Sequence, residues 1–102
     1  MILGFTGETI KLITAIKASD GSPADLSTAT IVFALKKPNG TITFKTPTID
    51  GNRVEVILYS ELDMPGEYVY EIKLSLNGEV DTVARDTISL HQSLVPLEVM
   101  EP

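Results

Sequence analysis

The side chain of this sequence most suited to catalysis is its single histidine, acting with a serine and an aspartate. His91 could complete a nucleophilic triad, since serines and aspartates are plentiful. Such a site also needs a nucleophile elbow and a glycine-rich oxyanion loop, and the sequence contains neither motif. We therefore expect His91 to be a surface side chain at a strand end, and we predict no catalytic residue.

Two groups of acidic residues could bind a cation or exchange protons. Asp20 and Asp25 flank a Gly-Ser-Pro loop, but this loop lacks the closely spaced oxygen ligands of a calcium site. Glu61, Asp63 and Glu67 surround a Pro-Gly step, but acid–base work on a sugar needs a deep, aromatic-walled cleft, and Trp is absent. Both groups are interpreted as solvated turn residues. The sequence thus predicts no metal, no cofactor and no enzymatic activity.

Composition limits the class of protein. With 102 residues, 43% of them hydrophobic, the chain is long enough for one domain and too apolar for a disordered protein. Cysteine is absent, which excludes disulfides and thiolate zinc sites. The net charge of −6 argues against nucleic acid as a partner. No apolar run is long enough to span a bilayer, and Met1–Phe5 lacks the basic residue that opens a signal peptide.

Segments of alternating apolar and polar residues, separated by Asp-Gly, Asn-Gly and Pro-Gly turns, indicate β-strands. The turns divide the chain into about seven strand-sized pieces, which predicts an all-β, immunoglobulin-like antiparallel β-sandwich. We expect one helical turn at Ser60–Met64, and a β-bulge near Asp86 to explain the mixed parity of the last strand. The alternating segments are 8–17, 30–37, 41–46, 53–59, 68–76 and 79–90.

Tyr68 follows the Pro65-Gly66 turn at the start of the clearest strand. This position is typical of the tyrosine corner of immunoglobulin-type sandwiches, whose hydroxyl bonds to upstream backbone. Leu62 and Gly66 lie at about the right spacing to accept or support such a bond. Alternatively, Tyr68 and Tyr70 are ordinary core aromatics, and either role is structural.

Several apolar residues lie on the strand face that should point to solvent, which suggests a protein–protein surface. Coverage of both faces by loops, or a misjudged register, would explain the same pattern. The domain is expected to comprise residues 1–92, and 93–102 is expected to be an apolar docking or oligomerisation segment. The candidate interface consists of Ile13, Ile57, Tyr59, Val69, Val83, Leu94, Val95, Leu97 and Val99.

Three segments carry a resemblance to a known family: 25–33 (DLSTATIVF), 37–42 (KPNGTI) and 62–68 (LDMPGEY). Their order and approximate spacing resemble the N-terminal immunoglobulin-like domain of phage baseplate upper proteins, the adaptors between a siphophage baseplate and its receptor-binding proteins. The resemblance implies a structural, oligomeric component of a phage or prophage tail or baseplate that docks to other virion proteins. It also implies a location in the virion, after synthesis in the cytoplasm of the bacterial host.

The family usually continues into a helical or fibrous segment and further domains, which do not follow here before Pro102. The resemblance therefore implies a stand-alone virion component or a module that docks onto a larger one. No functional residue carries over, because the shared positions are structural. The partners expected are other phage structural proteins and further copies of the chain, without nucleic acid or membrane insertion.

Two other functions remain open. A carbohydrate-binding or cell-surface adhesion module could share the fold, but sugar binding usually uses exposed aromatic platforms, and parity makes only Tyr59 a candidate. Loss of glycan-array binding in Tyr59→Ala would favour that function. A small enzyme is the third alternative, and it lacks a convergent set of polar residues.

Overall fold

The computed structural model describes residues 1–92 and contains eight β-strands there, six of them in the alternating segments. Alternation favours extended backbone because successive side chains of a strand point to opposite faces, so that one face can be buried. The strands are β1 (Ile2–Phe5), β2 (Ile10–Ala15), β3 (Thr30–Lys36), β4 (Ile42–Lys45), β5 (Thr48–Asp50), β6 (Arg53–Leu58), β7 (Gly66–Leu76) and β8 (Glu79–His91).

The strands form two sheets. One has five strands in the order β1-β8-β7-β3-β4, and the other has three in the order β2-β6-β5. Neighbouring strands are antiparallel except β1 and β8, which are parallel. The fold is therefore the all-β sandwich that the sequence predicted. The division of strands between the sheets is compatible with an immunoglobulin-like arrangement.

The core lies between the two sheets, where the inward-facing apolar residues of one sheet pack against those of the other. The rings of Phe33 on β3 and Tyr70 on β7 stack with their centroids 5.7 Å apart. Both strands belong to the five-stranded sheet, so this pair anchors its inner face. The largest fully buried side chains are Tyr68, Phe33, Leu35, Leu58, Leu62, Ile72, Ile88 and Val54.

The last strand contains a bulge, but at Val83 and not near Asp86 as the sequence analysis expected. The register between β7 and β8 passes from Ile72–Ala84 to Lys73–Thr82, which leaves Val83 without a partner. The extra residue reverses the parity of the strand. Val83 is consequently half-buried and packs against the core, so the expectation that it faces outward was wrong.

Three further differences concern short segments. Strand β1 was not predicted, because residues of both parities in Met1–Phe5 are apolar and the segment shows no alternation. Strand β5 has three residues, too few for a period to be recognised. The expected helical turn at Ser60–Met64 is absent; the backbone makes a turn in which Leu62 N donates to Tyr59 O at 3.2 Å.

Within residues 1–92, no helix has the length and apolarity needed to cross a membrane.

Candidate functional site

The first residues considered for chemistry lie in turns and at a strand end. His91 is exposed at the end of β8, and its ring lies 5.8 Å from that of Phe5, centroid to centroid. The pKa of Asp20 is lowered by hydrogen bonds from Ser22, of which the bond from the hydroxyl has a larger effect than the bond from the backbone N–H. The pKa of Asp25 is lowered by a hydrogen bond from the backbone N–H of Ser27. These carboxylates stabilise their own turns. Within residues 1–92, no group of His, Asp and Glu could hold a metal ion.

Two of the three acidic residues near the Pro65-Gly66 turn, Glu61 and Asp63, are each paired with a lysine. Glu61 Oε2 lies 2.6 Å from Lys45 Nζ, and Asp63 Oδ1 lies 3.2 Å from Lys37 Nζ. Lys45 Nζ also donates to Ile57 O at 2.8 Å, so it joins the edge strand β4 to β6 of the opposite sheet. The two carboxylates are thus held in separate ion pairs, which is an arrangement for joining elements of the fold.

Glu61→Gln is expected to make the stability less dependent on acid pH. Partial burial raises the pKa of Glu61, but hydrogen bonds from the Lys45 side chain and the Tyr59 N–H outweigh this effect and hold the pKa below its ordinary value of 4.5. Because the folded-state pKa is lowered, this contribution to stability is present above pH 4.5 and is lost as the pH falls through the folded-state pKa. The contribution should be about 1 kcal/mol, since solvent still screens the pair.

Urea unfolding at pH 7 and pH 3 measures this effect. Glu67→Gln, at an exposed position, is the matched control and should follow the wild type at both pH values. If Glu61→Gln lost as much stability between pH 7 and pH 3 as the wild type, the role of this carboxylate would be refuted.

The residues predicted as an interface do not form one surface. Ile13, Ile57 and Tyr59 are exposed on the three-stranded sheet and just beyond its strand β6. Val69 is half-buried on the outer side of the five-stranded sheet, and Val83 points toward the core. The remaining four, Leu94, Val95, Leu97 and Val99, lie outside the described residues.

On the outer side of the three-stranded sheet, charges interrupt the apolar residues. Ile13 lies opposite Glu55 and Ile57 opposite Lys11. Lys11 Nζ and Glu55 Oε1 are 3.5 Å apart, so this ion pair separates the two isoleucines. Single exposed apolar residues among charges are normal for a protein surface.

A more continuous apolar surface lies on the outer side of the five-stranded sheet. Phe44 on the edge strand β4 lies opposite Ala34 on β3. Val80 lies at the start of β8, which is two strands from β3 and three from β4. Phe44 is 70% exposed, Val80 64% and Ile42 54%. These side chains line a depression of about 470 Å³. We refer to the surface formed by Val32, Ala34, Ile42, Phe44 and Val80 as the apolar groove.

Positive charges predominate beside the apolar groove. Glu71 in the middle of the sheet forms ion pairs with Lys73 at 3.4 Å and with Arg85 at 3.5 Å. Lys36 lies opposite Ile42 on the same face. Among the residues that line the groove and the adjoining depression, three are thus cations and one, Glu71, is an anion, in a chain whose net charge is −6. The face is complementary to a partner that combines apolar and acidic residues.

The apolar groove was not predicted from the sequence, for two reasons. Parity counted without the bulge at Val83 assigned Val80 to the face of Ala84 and Ile88, whereas the bulge turns it outward. Strand β4 is too short for its parity to be decided alone. The register of the β3–β4 hairpin was the available signal, because it pairs Ile42 with the outward-facing Lys36.

Tyr68 lies at a corner where two of the segments carrying the family resemblance meet. Its hydroxyl donates to Met64 O at 2.7 Å and accepts from Met64 N at 3.1 Å. This bond to upstream backbone is the one that a tyrosine corner makes, although Met64, and neither Leu62 nor Gly66, provides the partner. At the same corner a Cβ on Gly66 would lie 2.8 Å from Pro38 Cγ.

Comparisons with known proteins do not identify a relative. No protein-family model matches the chain, and searches of curated proteins and of solved structures find no match. The family resemblance therefore rests on the three sequence segments alone.

Proposed function

We propose that this chain is a structural, non-catalytic module that binds another protein through the apolar groove. The observation that carries this proposal is the single depression that Ile42, Phe44 and Val80, each more than half exposed, line together with Val32 and Ala34. Large exposed apolar side chains that line one depression are costly in water unless a partner covers them. The cations beside them would supply orientation and selectivity.

The proposal extends to a phage or prophage particle, with the chain as a tail or baseplate component that docks to other virion proteins. Its support is the resemblance of segments 25–33, 37–42 and 62–68 to baseplate upper proteins. In the fold, Lys37 of the second segment pairs with Asp63 of the third, and Pro38 packs against Gly66. A mutual contact gives these two motifs a physical reason to occur together.

The distribution of exposed aromatic rings favours a protein over a sugar as the ligand. Within residues 1–92, Phe5 and Phe44 lie on the two opposite edge strands of the five-stranded sheet, and Tyr59 follows β6 of the other sheet. The two edge strands are about 19 Å apart at the usual strand spacing. Carbohydrate platforms need an aromatic ring flat against one sugar with polar groups beside it, and the rings here are dispersed.

Phe44→Asp is expected to abolish incorporation of the chain into phage particles. Particles would be induced from the source strain, separated on a density gradient and analysed by mass spectrometry and immunoblotting for the chain. The wild type should sediment with the particles. Phe44→Asp should remain in the free protein fraction, with at least a tenfold loss from particles, because a carboxylate would have to be desolvated in the groove.

Ile57→Asp provides the matched control, since Ile57 is similarly exposed on the opposite sheet. It should be incorporated as the wild type is. Wild-type chain found only in the free fraction would refute the location in the particle, and equal incorporation of Phe44→Asp and wild type would refute the groove as the binding surface.

A further inference from the structure

We infer that the occupant of the apolar groove is the C-terminal segment 94–100 of a second copy of this chain. This inference rests on the proposed protein-binding function and names its partner. It follows from three properties of the groove and the segment: their apolar character, their charge and their lengths. The position at which β8 ends decides between the chain's own segment and that of a neighbour.

The segment and the groove have complementary composition. Residues 93–102 contain Glu98 and Glu101 and no Lys or Arg. The groove adjoins Lys36, Lys73 and Arg85, of which the last two share one anion, Glu71. An acidic and apolar segment therefore matches the positive and apolar face. The apolar side chains of the segment are Leu94, Val95, Leu97, Val99 and Met100.

The lengths also agree. The length of the groove can be measured along β3. One end is at Lys36, which pairs with Ile42, and the other is at Thr30, which pairs with Ser75, the partner of Val80. Six residue steps of a strand measure about 20 Å. The stretch from Leu94 to Met100 likewise contains six steps, so in an extended conformation it would be about 20 Å long. It could cover the groove from end to end.

The end of β8 favours the segment of a neighbour over the chain's own. His91 ends the strand at the opposite end from Val80, about 36 Å away along the strand. Ile42 is at the end of the groove nearer to His91. To reach it from His91, the chain would have to reverse its direction, and then run about 13 Å back along the sheet and about 14 Å across it. That path consumes about six residues and would leave only Val99 and Met100 over the groove. A segment from a second copy needs no reversal and can place all of 94–100.

Two variants of the full chain test the inference by complementation. Phe44→Asp keeps the segment and loses the groove, whereas Leu97→Asp keeps the groove and loses the segment. The mass of each in solution would be measured by light scattering and sedimentation over a hundredfold range of concentration. The wild type should be a dimer or larger, and each variant alone should dissociate at least tenfold more readily.

An equimolar mixture of the two variants should recover a dimer, because the segment of Phe44→Asp can bind the groove of Leu97→Asp. Ile57→Asp should retain the wild-type mass. Circular dichroism would verify that each variant is folded, and Phe44→Ser and Leu97→Ser replace any that is not. Lys73→Glu should also weaken association, and Glu98→Lys in the same chain should restore it.

A wild type that is monomeric at every concentration, or a mixture that remains monomeric, overturns the inference. The particle experiment then separates the two ideas. If Phe44→Asp is lost from particles while the purified chain is monomeric, the protein-binding function stands and the occupant is a different virion protein. If the mixture dimerises but the wild type is absent from particles, the segment-and-groove contact stands and the phage function fails.

Discussion

Gly66→Ala is expected to lower the free energy of unfolding by about 3 kcal/mol. Gly66 has φ +126°, a conformation that side chains with a Cβ rarely adopt, and this backbone strain alone should cost about 1–2 kcal/mol. The added Cβ would also lie 2.8 Å from Pro38 Cγ and 2.9 Å from Pro38 Cβ. Since the proline ring is rigid, the overlap should add about 1–2 kcal/mol.

Gly51→Ala separates these two contributions. Gly51 has φ +63°, but a Cβ there would meet no atom within 4 Å, so only backbone strain applies and the loss should be about 1 kcal/mol. Urea unfolding of both variants gives the comparison. In the double variant Pro38→Ala/Gly66→Ala, the added cost of Gly66→Ala should fall toward that of Gly51→Ala. Equal losses for Gly66→Ala and Gly51→Ala in the wild-type background would show that the contact with Pro38 is unimportant.

The contact between Gly66 and Pro38 also bears on the apolar groove. Pro38 lies in the loop that turns β3 into β4, and β4 carries Ile42 and Phe44. Lys37 Nζ, 3.2 Å from Asp63 Oδ1, joins the start of this loop to the same segment that contains Gly66. The β3–β4 hairpin is therefore held from outside its own ladder. Together with the bond from Lys45 to Ile57 O, this contact helps to position an edge strand whose ladder hydrogen bonds lie along one side only.

The sequence was sufficient for the fold class because strong local signals repeat along it. Alternation and turn residues located β2, β3, β4, β6, β7 and β8 to within a few residues of their observed bounds. The mixed parity of β8 also showed that a bulge was needed. Its position at Val83 could not be derived, because apolar residues occur at both Val80 and Val83 and either could have been the one facing the core.

The surface was harder to predict than the core. The alternation within a single strand is enough to show which of its faces is buried. A binding surface combines residues from several strands, and the order of those strands is set by the tertiary fold. Val69 was correctly assigned to an outer face, whereas Phe44 and Val80 line the same groove only because of the strand order β8-β7-β3-β4. One sequence without that strand order does not bring them together.

Tyr68→Phe is expected to lower the free energy of unfolding by about 1–3 kcal/mol, and Tyr68→Ala by about 3–5 kcal/mol. The ring is fully buried, and its hydroxyl both donates to Met64 O and accepts from Met64 N. Phenylalanine keeps the ring in the core but leaves the two backbone groups of Met64 without this partner. Alanine removes the core contacts of the ring as well.

The pH dependence gives Tyr68→Phe a second readout. Burial, and to a smaller extent the charge of Asp63, raise the pKa of Tyr68 above its ordinary value of 10.0, although the bond with Met64 opposes the shift. Since the folded-state pKa is raised, this stabilisation is complete below pH 10.0 and is lost as the pH rises through the folded-state pKa. Tyr68→Phe should therefore lose less stability than the wild type between pH 9 and pH 11. Part of the alkaline loss should persist, because burial, and then the charge of Asp86, also raise the pKa of Tyr70.

Tyr59→Phe is the control for both readouts, since it removes a hydroxyl from an exposed tyrosine beyond β6. It should match the wild type in urea at pH 7 and across the alkaline range. If Tyr68→Phe behaved like Tyr59→Phe, the hydroxyl of Tyr68 would contribute nothing, and ring packing alone would explain why a tyrosine stands at this corner. If only Tyr68→Phe lost stability, the hydroxyl would be shown to stabilise the turn before β7 through its bonds with Met64. The same turn contains Gly66, which lies against Pro38 of the β3–β4 loop.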